Sequence, residues 1–339
     1  MIGGALMTWR CLGGAGARRL LAMLVVAGLA AGAQPEAARA GAAVATATAK
    51  PAGPAASPTP AAIRTLPERP PEISQAPPRV YLFRGALGPL FSTGMDRLAE
   101  KIEKAGFLAS VYEFTLCDLI ALQVAKNYRQ NQGPIVLIGH SMGGLCSVRI
   151  AIALQEQNIP VSLVVTIDPA HATKRVPPNV QRFINLFLSD NILGGGDVKP
   201  EPGFRGHYAS FDMKDHDEVT HINIDKMEDV HAQLVTMISQ LSQTSATAEA
   251  DPVQLRYLVP PKASVELWDS GVPVPVRPGE TLDQIASNHR VPLWALEQSN
   301  RGLATMPLVA GQRIILPRHL QPQAANQPAP QPPETPVRR

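Results

Sequence analysis

The chain has 339 residues, enough for more than one domain, with 33 prolines and abundant alanine, so much of its length reads as linker rather than core. Its formal net charge is +3, and Arg10, Arg18 and Arg19 in an N-terminal stretch without acidic residues account for that excess. The rest is formally near neutral, which removes the electrostatic case for a nucleic-acid partner.

In chain order, residues 1–33 combine those arginines with an apolar stretch, Leu20 to Ala31, and the small-residue site Ala31-Gly32-Ala33. This is the layout of a secretory signal peptide, too short in its apolar part for a comfortable membrane span. Ala38-Arg39-Ala40 offers a second cleavage site, and membrane contact is expected only through an uncleaved leader. Residues 34–78 are rich in Ala, Pro and Thr, with too little large apolar surface to offset the entropy of folding, and read as a disordered tether. A folded domain is expected over 79–243. It opens with a strand at Arg79 to Phe83, followed by a helix over Gly94 to Ala105 that stops at Gly106, and a strand from Leu108 to Tyr112. A helix follows over Asp118 to Tyr128, then a strand over Pro134 to Ile138 and a helix over Met142 to Gln157. Val161 to Ile167, almost entirely β-branched or apolar, has the character of a central strand buried on both faces. Strands at Arg182 to Leu188 and His207 to Met213 precede a closing helix over Asp225 to Leu241, whose apolar residues recur at helical spacing. Strands alternating with helices imply a parallel sheet covered on both faces, with its site at the carboxyl ends of the strands. Cys117 and Cys146 could pair in an oxidising compartment, but two buried thiols are the expectation because Cys146 lies in an apolar helix.

The most informative stretch is Ile135-Val136-Leu137-Ile138-Gly139-His140-Ser141-Met142-Gly143-Gly144, an apolar run feeding Gly-x-Ser-x-Gly and then a helix. Side chains at Gly139 or Gly143 would collide with the neighbouring strand and helix in so sharp a turn, and the turn holds Ser141 out of the fold. The motif resembles the nucleophile elbow of the α/β-hydrolase superfamily, and the small domain is similar to its compact lipase, esterase and thioesterase members. The resemblance implies a triad in the order Ser, acid, His. A serine hydroxyl needs a base to take its proton, and a carboxylate to orient the imidazole and stabilise its cation. Asp168, in Thr166-Ile167-Asp168-Pro169, and Asp190, in Ser189-Asp190-Asn191, are the candidate acids; a Thr-x-Asp-Pro pattern like that of small secreted relatives favours Asp168. For the base, His221 in Thr220-His221-Ile222-Asn223-Ile224-Asp225 is preferred over His216. The oxyanion donors expected are the backbone N–H of Met142 and one from Gly85 or Ala86. The stretch Asn191 to Thr220, with Gly194-Gly195-Gly196, could shape the site, and its glycines could act as a hinge. No cofactor is expected, because no metal-ligand cluster or phosphate-cradling loop is legible.

After a polar break at Ser242 to Pro252, residues 253–317 read as a separate unit with its core at 274–317, and the Gln/Pro-rich tail 318–339 reads as disordered. Arg277-Pro278-Gly279-Glu280-Thr281-Leu282, Ile285-Ala286, Val291 to Leu296, Asn300 and Gly311 to Pro317 resemble a LysM domain in register. The resemblance implies a βααβ fold that binds N-acetylglucosamine glycans, chiefly peptidoglycan, through Gly279, Glu280, Thr281, Leu308 and Gly311. The expectation is therefore a periplasmic or secreted, cell-wall-associated serine hydrolase acting on a small acyl ester or thioester. A peptidoglycan deacylase and a non-catalytic peptidoglycan-binding protein are the alternatives.

Overall fold

The computed structural model describes residues 76–241, 252–303 and 306–319. The expected leader, nearly all of the tether and polar break, and almost the whole tail lie outside the described residues.

Seven strands form one parallel sheet in the order β2-β1-β3-β4-β5-β6-β7. They are β1 (Arg79–Arg84), β2 (Leu108–Glu113), β3 (Ile135–His140), β4 (Leu163–Ile167), β5 (Arg182–Phe187), β6 (His207–Asp212) and β7 (Leu255–Leu258). The helices are α1 (Gly88–Phe91), α2 (Thr93–Lys104), α3 (Cys117–Gln130), α4 (Met142–Gln155) and α5 (Glu228–Gln240). Strand alternation sorts the core into two layers. Val136 and Ile138 of β3 pack with Met95 and Leu98 of α2 and Val230 and Leu234 of α5. Ile135 and Leu137, on the opposite face, pack with Ile120 and Val124 of α3 and Val148 and Ile150 of α4. Central strands β3, β4 and β5 are buried at every position, as a sheet covered on both sides requires.

Two features differ from the sequence expectation. Cys117 and Cys146, expected as separate buried thiols, are joined in a disulfide with their Cα atoms 5.6 Å apart. The first residue of α3 faces α4 where the two helices pack, and that separation lies in the range a disulfide spans. The second difference is β7, which falls inside the unit expected to begin at 253 but pairs in parallel with β6. Leu255 and Tyr257 alternate inward and Arg256 stacks over the Tyr208 ring at 5.1 Å, a strand pattern of only four residues.

The C-terminal part is βααβ: β8 (Ser270–Pro275), α6 (Leu282–His289), α7 (Leu293–Ser299) and β9 (Arg313–Arg318), with β8 and β9 antiparallel. Thr281 and Gln284 cap α6 reciprocally. Asn300 Nδ2 donates to Leu296 O and Ile315 O, while its Oδ1 accepts from Ile315 N, tying α7 to β9. This part packs against the large sheet and shares a core with it. Tyr257 of β7 meets the Trp294 ring at 5.6 Å and gives or takes a 2.8 Å hydrogen bond with Ser299 Oγ, and buried Trp268 lies beside both rings. Beneath them Asp269, fully buried, faces Arg182 of β5 and Arg318 of β9 at 3.3–3.4 Å.

Candidate active site

The carboxyl ends of β3, β4 and β5 bring the candidate side chains together. At the end of β3, Ser141 takes φ 55° and ψ −121°, a sparsely populated conformation for a residue with a side chain. The turn closes only because its flanks are glycines. A Cβ on Gly139 would lie 2.1 Å from the Gly143 carbonyl oxygen, and one on Gly143 would lie 2.1 Å from Phe83 O. Ser141 N donates to Ile167 O at 3.0 Å, which ties the turn to β4.

Ser141 Oγ lies 3.1 Å from His221 Nε2, and His221 Nδ1 lies 2.6 Å from Asp168 Oδ2. Since an ionised carboxylate only accepts, Nδ1 carries the proton and Nε2 presents its lone pair to the serine hydroxyl. Asp168 is fully buried. Its Oδ1 accepts the N–H of Leu188 at 3.1 Å and of Gly195 at 2.7 Å, and its Oδ2 also accepts Asn191 Nδ2–H at 2.7 Å. A buried carboxylate so supplied with donors is held in one orientation. Asp190 is exposed in the turn after β5, and it is Asp168 that faces His221. His216 is buried against Glu218, with Nδ1 2.8 Å from Oε1, and does not reach the serine. The loop that carries His221 is fixed by Asn223, whose Oδ1 accepts Thr220 N–H and whose Nδ2 donates to Glu218 O.

The N–H of Met142 opens α4, where the first turn of a helix leaves its donors without intrahelical acceptors. Gly85, the first of the expected pair after β1, donates its N–H to Ser92 Oγ at 3.0 Å, which leaves Ala86 as the second candidate donor. Gly85 is glycine because a Cβ there would stand 2.7 Å from Ser141 Cβ. The Gly194-Gly195-Gly196 run is not a free hinge: Gly195 N–H is on Asp168, and Gly196 both donates to Pro169 O and accepts from Asn185 Nδ2.

Sequence reasoning missed Asn191, Ser92, Asn223 and the role of His140. His140 is buried, with its ring centroid 4.8 Å from that of His221; burial, and then the neighbouring His221, lower its pKa to about 4. Asp225, four residues beyond His221, is buried with Oδ2 accepting Gly94 N–H at 3.0 Å, and desolvation raises its pKa to about 6. A polar residue in a buried run is the one signal that pointed at His140; Ser92 and Asn191 carried none.

In the C-terminal part, Thr281 and Leu308 line a groove of about 290 Å³ with Leu282, Asp283, Leu293 and Glu297. Of the other candidates, Glu280 turns back to accept Arg277 N–H at 3.0 Å, while Gly279 and Gly311 occupy left-handed turn positions at φ 77° and 81°. These three do not line the groove.

The Thioesterase domain family model matches residues 109–182, a span containing Ser141 and Asp168, and the LysM domain family model matches residues 275–317. Among solved structures, the chain is similar to a protein assigned to the α/β superfamily of hydrolases from Xanthomonas campestris pv. campestris. Identity is 17%, over 35% of this chain and 75% of that one, with a TM-score of 0.26. It is also similar to RedJ, solved with a polyethylene glycol molecule in its active site, at 22% identity over 32% of this chain and 50% of that one, with a TM-score of 0.20. A search of the curated proteins finds no match.

Proposed function

We propose that this α/β-hydrolase, with its thioesterase-type domain and LysM domain, is an exported serine hydrolase that cleaves acyl ester or thioester bonds at the cell wall. The observation that carries the reading is the continuous contact from Ser141 Oγ through His221 to Asp168, at 3.1 and 2.6 Å. His221 Nε2 takes the hydroxyl proton as Oγ attacks the acyl carbon, and Asp168 stabilises the imidazolium that forms. The N–H groups of Met142 and Ala86 receive the oxyanion. Collapse expels the alcohol or thiol with the proton held on His221, leaving an acyl-enzyme. Water then attacks that ester, again giving its proton to His221, and the free acid leaves as Ser141 is restored.

The surroundings support an apolar acyl chain. Large aliphatic side chains are exposed on three segments beside the site: Leu87 and Leu90 after Gly85 and Ala86, Ile192 and Leu193 between Asn191 and Gly195, and Ile222 beside His221. Exposed apolar residues gathered beside the candidate site are the kind of surface that marks a binding site. The Cys117–Cys146 disulfide supports export to an oxidising compartment. The groove at Thr281 and Leu308 supports a glycan ligand and hence retention at peptidoglycan.

A peptidoglycan deacylase is the second reading, favoured by the LysM domain alone. Fluorophosphonate labelling, followed by turnover of p-nitrophenyl acetate, p-nitrophenyl octanoate, an octanoyl thioester and O-acetylated peptidoglycan, separates the possibilities. The expected result is labelling lost in Ser141→Ala and preference for the octanoyl substrates. Faster turnover of O-acetylated peptidoglycan favours the second reading, and absence of labelling leaves a non-catalytic wall-binding protein.

A further inference from the structure

The geometry points to a buried chain, Gly85–Ser92–His140–His221, that sets the oxyanion loop and the base loop as one unit, with Ser92 and His140 as positioning residues. The proposal rests on the reading of Ser141 and His221 as nucleophile and base.

The direction of each hydrogen bond follows from what its atoms can do. His221 O only accepts, so His140 Nε2, 2.8 Å away, carries a proton and donates it. The neutral ring then has a lone pair on Nδ1, 2.7 Å from Ser92 Oγ, and the hydroxyl donates to it. The same oxygen accepts Gly85 N–H at 3.0 Å. The chain therefore runs without a gap from the loop after β1 to the backbone of the proposed base. Ser92 and His140 are 0% and 1% exposed, so breaking the chain at either residue strands buried polar groups that water cannot reach.

Ser92 is diverted from its local task. It occupies the N-cap of α2, where a serine hydroxyl commonly accepts an N–H of the first turn, yet its side chain makes no such bond. Asp225 accepts Gly94 N–H in that turn instead, from 131 residues away. The two substitutions reinforce each other. Ser92 is released to hold His140, and the segment carrying His221 is fastened a second time to α2. A neutral His140 suits this place, because its ring stands beside the imidazole that must become cationic during turnover.

Ser92→Ala, His140→Phe and the double variant test the chain by kinetics on p-nitrophenyl octanoate. Each single change is expected to lower kcat roughly 10- to 100-fold with KM within about threefold, since the loss is of alignment rather than of substrate contact. The double variant should be no slower than the slower single variant, because one interruption already breaks the chain. Ser92→Ala removes a single oxygen and tests the proposal on its own if His140→Phe does not fold. Fluorophosphonate labelling of the wild type at Ser141 checks the underlying reading separately. With the wild type labelled, variants that keep kcat within twofold, losses that multiply in the double variant, or losses carried by KM overturn the proposal.

Discussion

Gly195 donates its backbone N–H to Asp168 Oδ1 at 2.7 Å, from 27 residues further along the chain. The stretch that looks in sequence like a hinge is thus the cradle of the candidate acid. With Asn191 on the other oxygen it leaves the carboxylate little freedom to turn from His221. Gly195 sits at φ +86°, and a Cβ there would lie 2.5 Å from Leu188 O. Gly195→Ala should therefore destabilise the protein by about 1–3 kcal/mol and slow turnover as well. Asn191→Ala should slow turnover roughly tenfold with the thermal midpoint little changed. Paired melting and kinetic measurements check both, and a fast Gly195→Ala enzyme would contradict the cradle.

The two acid candidates separate by substitution. Asp168→Asn should lower kcat/KM by roughly 10³- to 10⁴-fold, because an amide cannot hold the imidazole in the tautomer needed or stabilise its cation. Asp190→Asn, exposed and away from His221, should stay within about twofold of wild type. Ester hydrolysis at saturating and limiting substrate measures both. Equal losses would point to a different acid.

Stability should depend on pH through Asp225. Its carboxyl is raised from 3.8 in the unfolded chain to about 6 by burial, so the folded protein binds the extra proton between those values. Folding therefore gains from this group at acid pH, and the gain is lost as pH rises from about 4 to about 6. Asp225→Asn keeps an acceptor for Gly94 N–H without the charge. Relative to wild type it should gain about 2 kcal/mol in urea unfolding between pH 4 and pH 7. A difference that does not vary with pH would assign Asp225 another role.

The Cys117–Cys146 bridge closes a loop across α3 and α4 with a sequence separation of 29 residues. Reduction, or Cys146→Ala, should lower stability by about 2–4 kcal/mol. Urea midpoints with and without dithiothreitol measure it. A midpoint insensitive to reductant would argue that the sulfurs are not joined.

The fold was legible where one local pattern decides it. The run from Ile135 to Ile138, mostly β-branched and closed by a glycine, reads as a strand covered on both faces, and the glycines beside Ser141 mark the sharp turn. In the C-terminal part, the spacing from Arg277 to Pro317 matched the βααβ pattern that the structure shows. What escaped depends on pairs distant in sequence. Leu255 to Leu258 is too short to assert a strand, and its parallel partner β6 lies more than forty residues earlier. The disulfide needed the facing of α3 on α4, which helical spacing does not supply. Ser92 and His140 are 48 residues apart, and a serine before a helix reads locally as a cap. Within the candidate site, the order of serine, acid and histidine could be read along the chain. The donors around Asp168 could not, because they come from the loop after β5, 20 to 27 residues further along the chain, and nothing local to Asp168 marks them.

Trp268, fully buried among Phe211, Tyr257 and Trp294, has a consequence for reach. A module hung on a flexible linker brings an enzyme near its anchor point with a probability set by chain statistics, and the enzyme sweeps a volume. Here the groove at Leu308 and the hydroxyl of Ser141 belong to one packed unit, so their separation is a dimension of the molecule, like the gap of a caliper. Under the proposed function, acyl bonds at that offset from a bound sugar would be addressed, and nearer or farther ones passed over.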